Sequence, residues 1–271
     1  MTDQHIIVDK SSRQINLVNS TVLFASAFLL LYIINILIVY LFAEYFGIDA
    51  KIHYYGVEYL ISNHSSKWTV DSLILMFLAG PFVSLMIAGI SARLHGVFRA
   101  DKGHLKLFFL FVYLNGMNFC FGSILAGSIS KKMTWYAMAW MGLPGIIMFM
   151  LGIIGIILLW VTGSAKAIFF LESCNYPNPN HPTNRQYWLL NTILKPWFLS
   201  SLIIILFLLP NIQLYFLILL ISPIFTIMPI FRNATTVTEV MVFDADTSVK
   251  VFWKTWALFI VVALLLRFFL L

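Results

Sequence analysis

Long apolar runs dominate this chain and restrict what it can become. Residues 21–46, 70–95, 104–127 and 134–162 are each predominantly apolar, and each exceeds the about 20 residues that a helix needs to cross a hydrocarbon core. Shorter runs occupy residues 194–210, 212–231 and 252–271. Inside a bilayer every backbone polar group must find its partner within the structure, which leaves helices and closed barrels. Barrel strands would alternate polar and apolar residues over about ten positions, and these runs do not alternate. Only 10% of the residues are charged, against roughly 25% in a soluble domain. The chain therefore reads as an all-α polytopic membrane protein with about six to seven transmembrane helices. The count depends on residues 194–210 and 212–231, which either span separately or form a single re-entrant hairpin.

The intervening segments set the organisation. Residues 1–20 read as a polar N-terminal tail, and the first apolar run is long enough to remain as a spanning helix. Residues 47–69 are mixed. Within them Ile52-His53-Tyr54-Tyr55-Gly56-Val57-Glu58-Tyr59-Leu60 is rich in aromatic and β-branched residues around a glycine, which suits a short interfacial strand or hairpin. Asp71 is expected at the start of the second helix, where a negative charge meets the helix dipole. Pro144 is expected to kink the fourth helix, over 134–162. Residues 163–192 read as the largest loop, with Asn175 to Pro182 dense in turn formers. Pro210, Pro223 and Pro229 interrupt the fifth and sixth helices. The division is a tail at 1–20, a core of three helices at 21–127, and further transmembrane helices at 128–271 carrying the 163–192 loop.

Basic residues concentrate on the cytoplasmic side of membrane proteins. With the N-terminus inside, 12 of the 17 Lys and Arg residues fall inside and five outside. Charge thus predicts a cytoplasmic N-terminus, and the net charge of +6 reflects basic loops and not a nucleic-acid partner. Cys120 and Cys174 read as two free thiols, since two cysteines so placed make neither a scaffold nor a zinc spacing.

Three stretches carry a resemblance. The first run ends Asn35-Ile36-Leu37-Ile38-Val39-Tyr40-Leu41-Phe42-Ala43-Glu44-Tyr45-Phe46-Gly47. A β-like segment follows, and the second run then contains Leu78-Ala79-Gly80-Pro81-Phe82-Val83-Ser84. The third contains Asn115-Gly116-Met117-Asn118. In this order they resemble the site-2 proteases, intramembrane zinc metalloproteases whose first catalytic helix carries HExxHxxxAxxxG. With Ala43 and Gly47 aligned, the first ligand His falls on Asn35, the catalytic Glu on Ile36 and the second ligand His on Val39. Ala79, Gly80 and Pro81 match the AGPxxN signature, with Ser84 where the family has Asn. The third-ligand Asp falls on Ser123. Over residues 30–127 the resemblance implies a site-2-protease-like three-helix core with a short interfacial β segment. It implies a vestigial site lined by Asn35, Val39, Asn115, Asn118 and Ser123. It also implies that the Gly47 end of the first helix lies on the cytoplasmic side, opposite to the charge count.

The residues leave no zinc centre. A catalytic zinc takes about three protein ligands and an open position, with a base to deprotonate its water. No HExxH occurs, and no carboxylate lies between Asp101 and Glu172. His53 and His64 are expected at one face of the membrane and His95, His104 and His181 at the other. No metal or cofactor is therefore expected. Asn63-His64 with Asp71 has the wrong spacing for the NHxxxxD acyltransferase motif. Asn35, Asn115 and Asn118 are amides in apolar runs, and such groups hold helices together through hydrogen bonds.

Two functional readings follow. The first is a catalytically inactive site-2-protease-like protein, a pseudoprotease. It would bind or scaffold a protein or peptide partner in the lipid bilayer, through a groove between helices and a strand edge. The alternative is a membrane transport or secretion component that uses the proline-broken fifth and sixth helices. There the Thr226 hydroxyl would serve a carbonyl freed by a proline.

Overall fold

The computed structural model describes residues 10–99, 104–173, 182–236 and 250–269. Six helical spans among these are long and apolar enough to cross a membrane: Ser11–Tyr45, Val70–Val97, Leu105–Ser130, Gly145–Glu172, Arg185–Leu208 and Leu214–Ala234. A seventh apolar helix, Trp253–Phe269, has 17 residues, or about 26 Å at 1.5 Å per residue. The chain is a multi-pass helical protein with one two-stranded sheet.

α1 (Lys10–Tyr45) starts well before the first apolar run. The stretch expected as a polar tail is helical from residue 10 because its amides find partners in distant segments. Asn16 donates to the Thr192 hydroxyl at 2.9 Å. Asn19 donates to the Lys250 carbonyl at 2.8 Å and accepts from the Phe252 amide at 2.8 Å. Residues 1–9 lie outside the described residues.

After α1 the chain turns through Gly47, at φ +65°, a conformation that glycine adopts without the Cβ penalty. It then forms the expected hairpin, β1 (Ala50–His53) and β2 (Gly56–Tyr59), paired antiparallel with Ile52 opposite Val57. Tyr32 of α1 donates to the Tyr54 carbonyl at 2.8 Å, and Tyr54 donates to the Leu209 carbonyl at 3.2 Å. The hairpin is thereby fixed between two helices. α2 (Val70–Val97) is capped by Thr69, whose hydroxyl accepts from the Ser72 amide while Ser72 accepts from the Thr69 amide. Asp71 sits in its first turn and Thr69 makes the cap.

α3 (Leu105–Met117), a π-helical turn at Asn118–Gly122 and α4 (Ser123–Ser130) form one span. The expected kinked fourth helix is two helices, α5 (Thr134–Trp140) and α6 (Gly145–Glu172). Gly142, at φ +76°, reverses the chain, and Pro144 stands just before α6 instead of bending its middle. Most of the expected 163–192 loop is also helical. α6 runs to Glu172, and α7 (Pro182–Leu189), a second π turn (Leu190–Leu194) and α8 (Lys195–Leu208) follow. Residues 174–181, with Cys174 and His181, lie outside the described residues.

The sixth run is broken into α9 (Leu214–Ile221) and α10 (Ile224–Ala234) at Ser222-Pro223. The continuous helix Arg185–Leu208, through α7, the π turn and α8, and the α9–α10 pair each have the length of a separate span, which favours two crossings over one hairpin. α11 is Trp253–Phe269. One core cluster takes Phe24, Phe28 and Leu31 from α1, Phe111 from α3, Phe170 from α6, Leu189 from α7 and Leu219 from α9. The stretches 21–127 and 128–271 thus share one core. The termini of the elements sort into two ends. Arg13 meets Tyr187, and Arg185 meets the Ala234 carbonyl at one end. Arg267 meets the Leu206, Phe207 and Leu209 carbonyls at the other.

Candidate functional site

A cleft lies beside the α1–α2 crossing. Tyr32, Asn35, Ile36 and Val39 of α1 form one wall, and Phe77 and Pro81 of α2 another. Gly56 and Val57 of β2, Phe119 of the π turn, Met133, and Tyr215 and Phe216 of α9 close it. Its cavity volume is about 40 Å³. It is a narrow slot with an aromatic lining.

Asn35 fixes the α1–α2 contact. Its Nδ2 donates to Leu31 O of its own helix and to Ser84 Oγ of α2, both at 2.8 Å. Its Oδ1 lies where a Cβ on residue 80 would be, so only glycine fits there. Gly80 and Ser84, four residues apart, let the helices approach as small residues do in membrane proteins. Val39 is buried and lines the same cleft. Ser123 sits behind the wall. Its hydroxyl donates to the Cys120 carbonyl at 2.7 Å. The Ser123 carbonyl accepts from Thr134 at 2.8 Å.

Asn115 and Asn118 do not line the cleft. Asn115 is fully buried and donates to the Phe111 carbonyl of its own helix at 3.0 Å. Asn118 answers a need elsewhere. Pro223 has no N–H, so the carbonyl four residues earlier, Leu219, loses its helical donor. Asn118 Nδ2 donates to that oxygen at 2.7 Å, while its Oδ1 accepts from Ser222 at 2.6 Å. Ser222 also reaches Leu219 O, at 3.1 Å. Thr226, expected to serve a freed carbonyl, leaves its hydroxyl without a partner among the described residues.

The chemistry available is limited. The lining residues include no carboxylate, imidazole or thiol. Both Asn35 amide protons and the Tyr32 hydroxyl proton are used within the protein. Asn35 and Tyr32 therefore present acceptors. Among the described residues, no three of His, Cys, Asp and Glu gather as a metal site. His53 is bound to Glu58 at 2.8 Å, and His95 lies in the last turn of α2.

Donors come from the hairpin edge. Leu60 N–H donates to Asp49 O at 2.8 Å. In an antiparallel ladder hydrogen-bonded pairs alternate, so Lys51–Glu58 and His53–Gly56 are the bonded pairs of this sheet. Val57 and Tyr59 then direct N–H and C=O away from β1. These groups have no backbone partner among the described residues. The Tyr59 ring packs edge-on against Trp68 and Phe77, and burial pushes its phenol above the usual range, keeping it neutral.

Of the residues that the resemblance names, Asn35 and Val39 line the cleft, and Ser123, Asn115 and Asn118 do not. Sequence reasoning missed Tyr215 and Phe216, whose approach depends on how α9 packs. It also missed an ion pair beyond the end of α2, where the half-exposed Arg99 grips the two oxygens of the buried Glu172. Comparison with protein-family models, with curated protein sequences and with solved structures finds no match for the chain.

Proposed function

We propose that the chain is a site-2-protease-like membrane protein without a zinc centre, and that it binds or scaffolds a protein or peptide partner in the bilayer. The carrying observation is the cleft at Asn35 and Val39, flanked by β2 with the outward amides of Val57 and Tyr59. Its lining suits holding a chain and offers no group to cut one. An extended segment entering it meets backbone donors and acceptors on one side and aromatic walls on the other. That is strand addition to an open edge, in which main-chain bonds supply affinity and pockets supply specificity. The N-terminus is inferred to be cytoplasmic, because the end of the bundle carrying Arg13, Arg99, Lys106, Lys166 and Arg185 holds the larger share of the basic residues.

Photocrosslinking in native membranes tests this reading. A photoreactive side chain at Val39 or Val57 is expected to capture the same partner. One at lipid-facing Ile153 is expected to capture none. Val57→Pro removes an edge N–H that the hairpin itself does not use; it should abolish capture at Val39 with little loss of stability. Unchanged capture at Val39 in that variant would sink the strand-edge reading. Stoichiometric, tightly bound zinc in the purified protein would overturn the claim of an inactive site.

A further inference from the structure

The charged end of the bundle holds side chains that the cleft does not use. α2 ends there, α3 begins there, and α6 arrives there with Glu172. α6 has 28 residues. That is about 42 Å, some 12 Å more than a hydrocarbon core, so its last turn emerges among lipid headgroups.

Phe169 is the centre of the group. Lys166 Nζ lies 4.7 Å from its ring centroid and the Arg99 guanidinium 5.5 Å. The His95 ring packs against it with centroids 5.3 Å apart. Lys166 also reaches over Tyr113, at 5.4 Å. Glu172 is the buried carboxylate here, and both its oxygens go to Arg99. Lys166 thus rests on aromatic rings with no carboxylate partner among the described residues.

His95 supplies the second observation. Its Nδ1 is 3.1 Å from the Lys106 carbonyl, which can only accept, so Nδ1 carries the proton. The neutral ring then has a bare lone pair at Nε2. That atom is buried, in a residue only 3% exposed, and has no partner among the described residues. A ligand for this place brings a negative charge for Lys166 and a hydroxyl donor for Nε2. Just deeper along α6, Ile154, Leu158 and Val161 form an exposed apolar stripe suited to acyl chains.

We propose that this end of α2, α3 and α6 binds one anionic phospholipid whose headgroup carries a hydroxyl, of the phosphatidylglycerol type. Its phosphate pairs with Lys166 in the field of Arg99, and its hydroxyl donates to His95 Nε2. The site is independent of the cleft and of any partner held there.

Native mass spectrometry of the purified full chain tests it with three lipids of identical acyl chains. Phosphatidylglycerol should be retained over phosphatidylcholine. Phosphatidylmethanol, which keeps the charge and lacks the hydroxyl, should be retained less than phosphatidylglycerol. Lys166→Gln should weaken phosphatidylglycerol retention roughly five-fold, the weight of one cation near a membrane surface, and Lys166→Arg should restore it. His95→Phe should erase the difference between phosphatidylglycerol and phosphatidylmethanol. Equal retention of phosphatidylglycerol and phosphatidylcholine, or an unaffected Lys166→Gln, overturns the proposal. Glycerol phosphate in water binding as tightly as the lipid overturns the lipid assignment.

Discussion

Gly80→Ala tests whether the contact between α1 and α2 at Asn35 shapes the cleft. A Cβ at residue 80 would overlap Asn35 Oδ1 and crowd its Cγ at 3.3 Å. The amide must swing away or the helices must part. Overpacking of this kind costs about 1–3 kcal/mol. Swinging the amide also breaks its 2.8 Å bond to Ser84, worth about 0.6 and at most about 1.7 kcal/mol between membrane helices. The better helix propensity of alanine returns up to about 1 kcal/mol. The net expectation is a loss of about 1–3 kcal/mol, read as denaturant or thermal unfolding in detergent. Gly89→Ala is the matched control on the same helix, because a Cβ there meets nothing within 4 Å; it should be neutral or slightly stabilising. Asn35→Ala removes the atom that the new methyl strikes. The double variant should therefore lose less than the sum of the singles, by about 1 kcal/mol. If Gly80→Ala unfolds like Gly89→Ala, or if the double variant is additive, the contact does not set the cleft.

Three further changes probe the rest of the bundle in the same assay. Gly163→Ala would press a methyl onto the Thr226 carbonyl and, at 2.8 Å, the Pro229 ring of α10; with backbone that cannot swing aside, a loss of about 3 kcal/mol is expected. Asn118→Leu leaves the Leu219 carbonyl with Ser222 as its remaining donor and should cost about 1–2 kcal/mol; Ser222→Ala, which leaves the Asn118 donor in place, should cost less. Arg99→Ala strands the Glu172 carboxylate, whose side chain is only 2% exposed, and should cost about 3 kcal/mol; loss of the pair through Glu172→Gln should be milder, because no buried charge remains.

Individual residues show where sequence reasoning succeeds and where it stops. The hairpin was legible because Ile52, Val57 and their aromatic neighbours alternate around Gly56, a local pattern. Pro144 and Pro223 were legible as interruptions, since a missing N–H is a property of the residue itself. Their outcomes were not. Pro144 sits outside α6 because Gly142 reverses the chain before it. Pro223 is tolerated because Asn118, a hundred residues away in sequence, serves the carbonyl it frees. The polar start of α1 looked like a tail because Asn16 and Asn19 find partners far along the chain, in the π turn between α7 and α8 and just before α11. The buried charges Glu172 and Arg185 fell in the expected 163–192 loop for the same reason.

What the sequence determines alone is that this chain lives in a membrane as a set of helices. Apolar length is a local sum, and in hydrocarbon an unsatisfied backbone has no alternative partner. What only the tertiary structure decides is which polar groups meet. Asn35 and Val39 reach a common cleft, while Asn118 is spent on the α9–α10 joint and Asn115 bonds within its own helix. Those assignments depend on how α1, α2, α3 and α9 cross, and lipid is too similar to the side chains for apolar pattern alone to set the crossings.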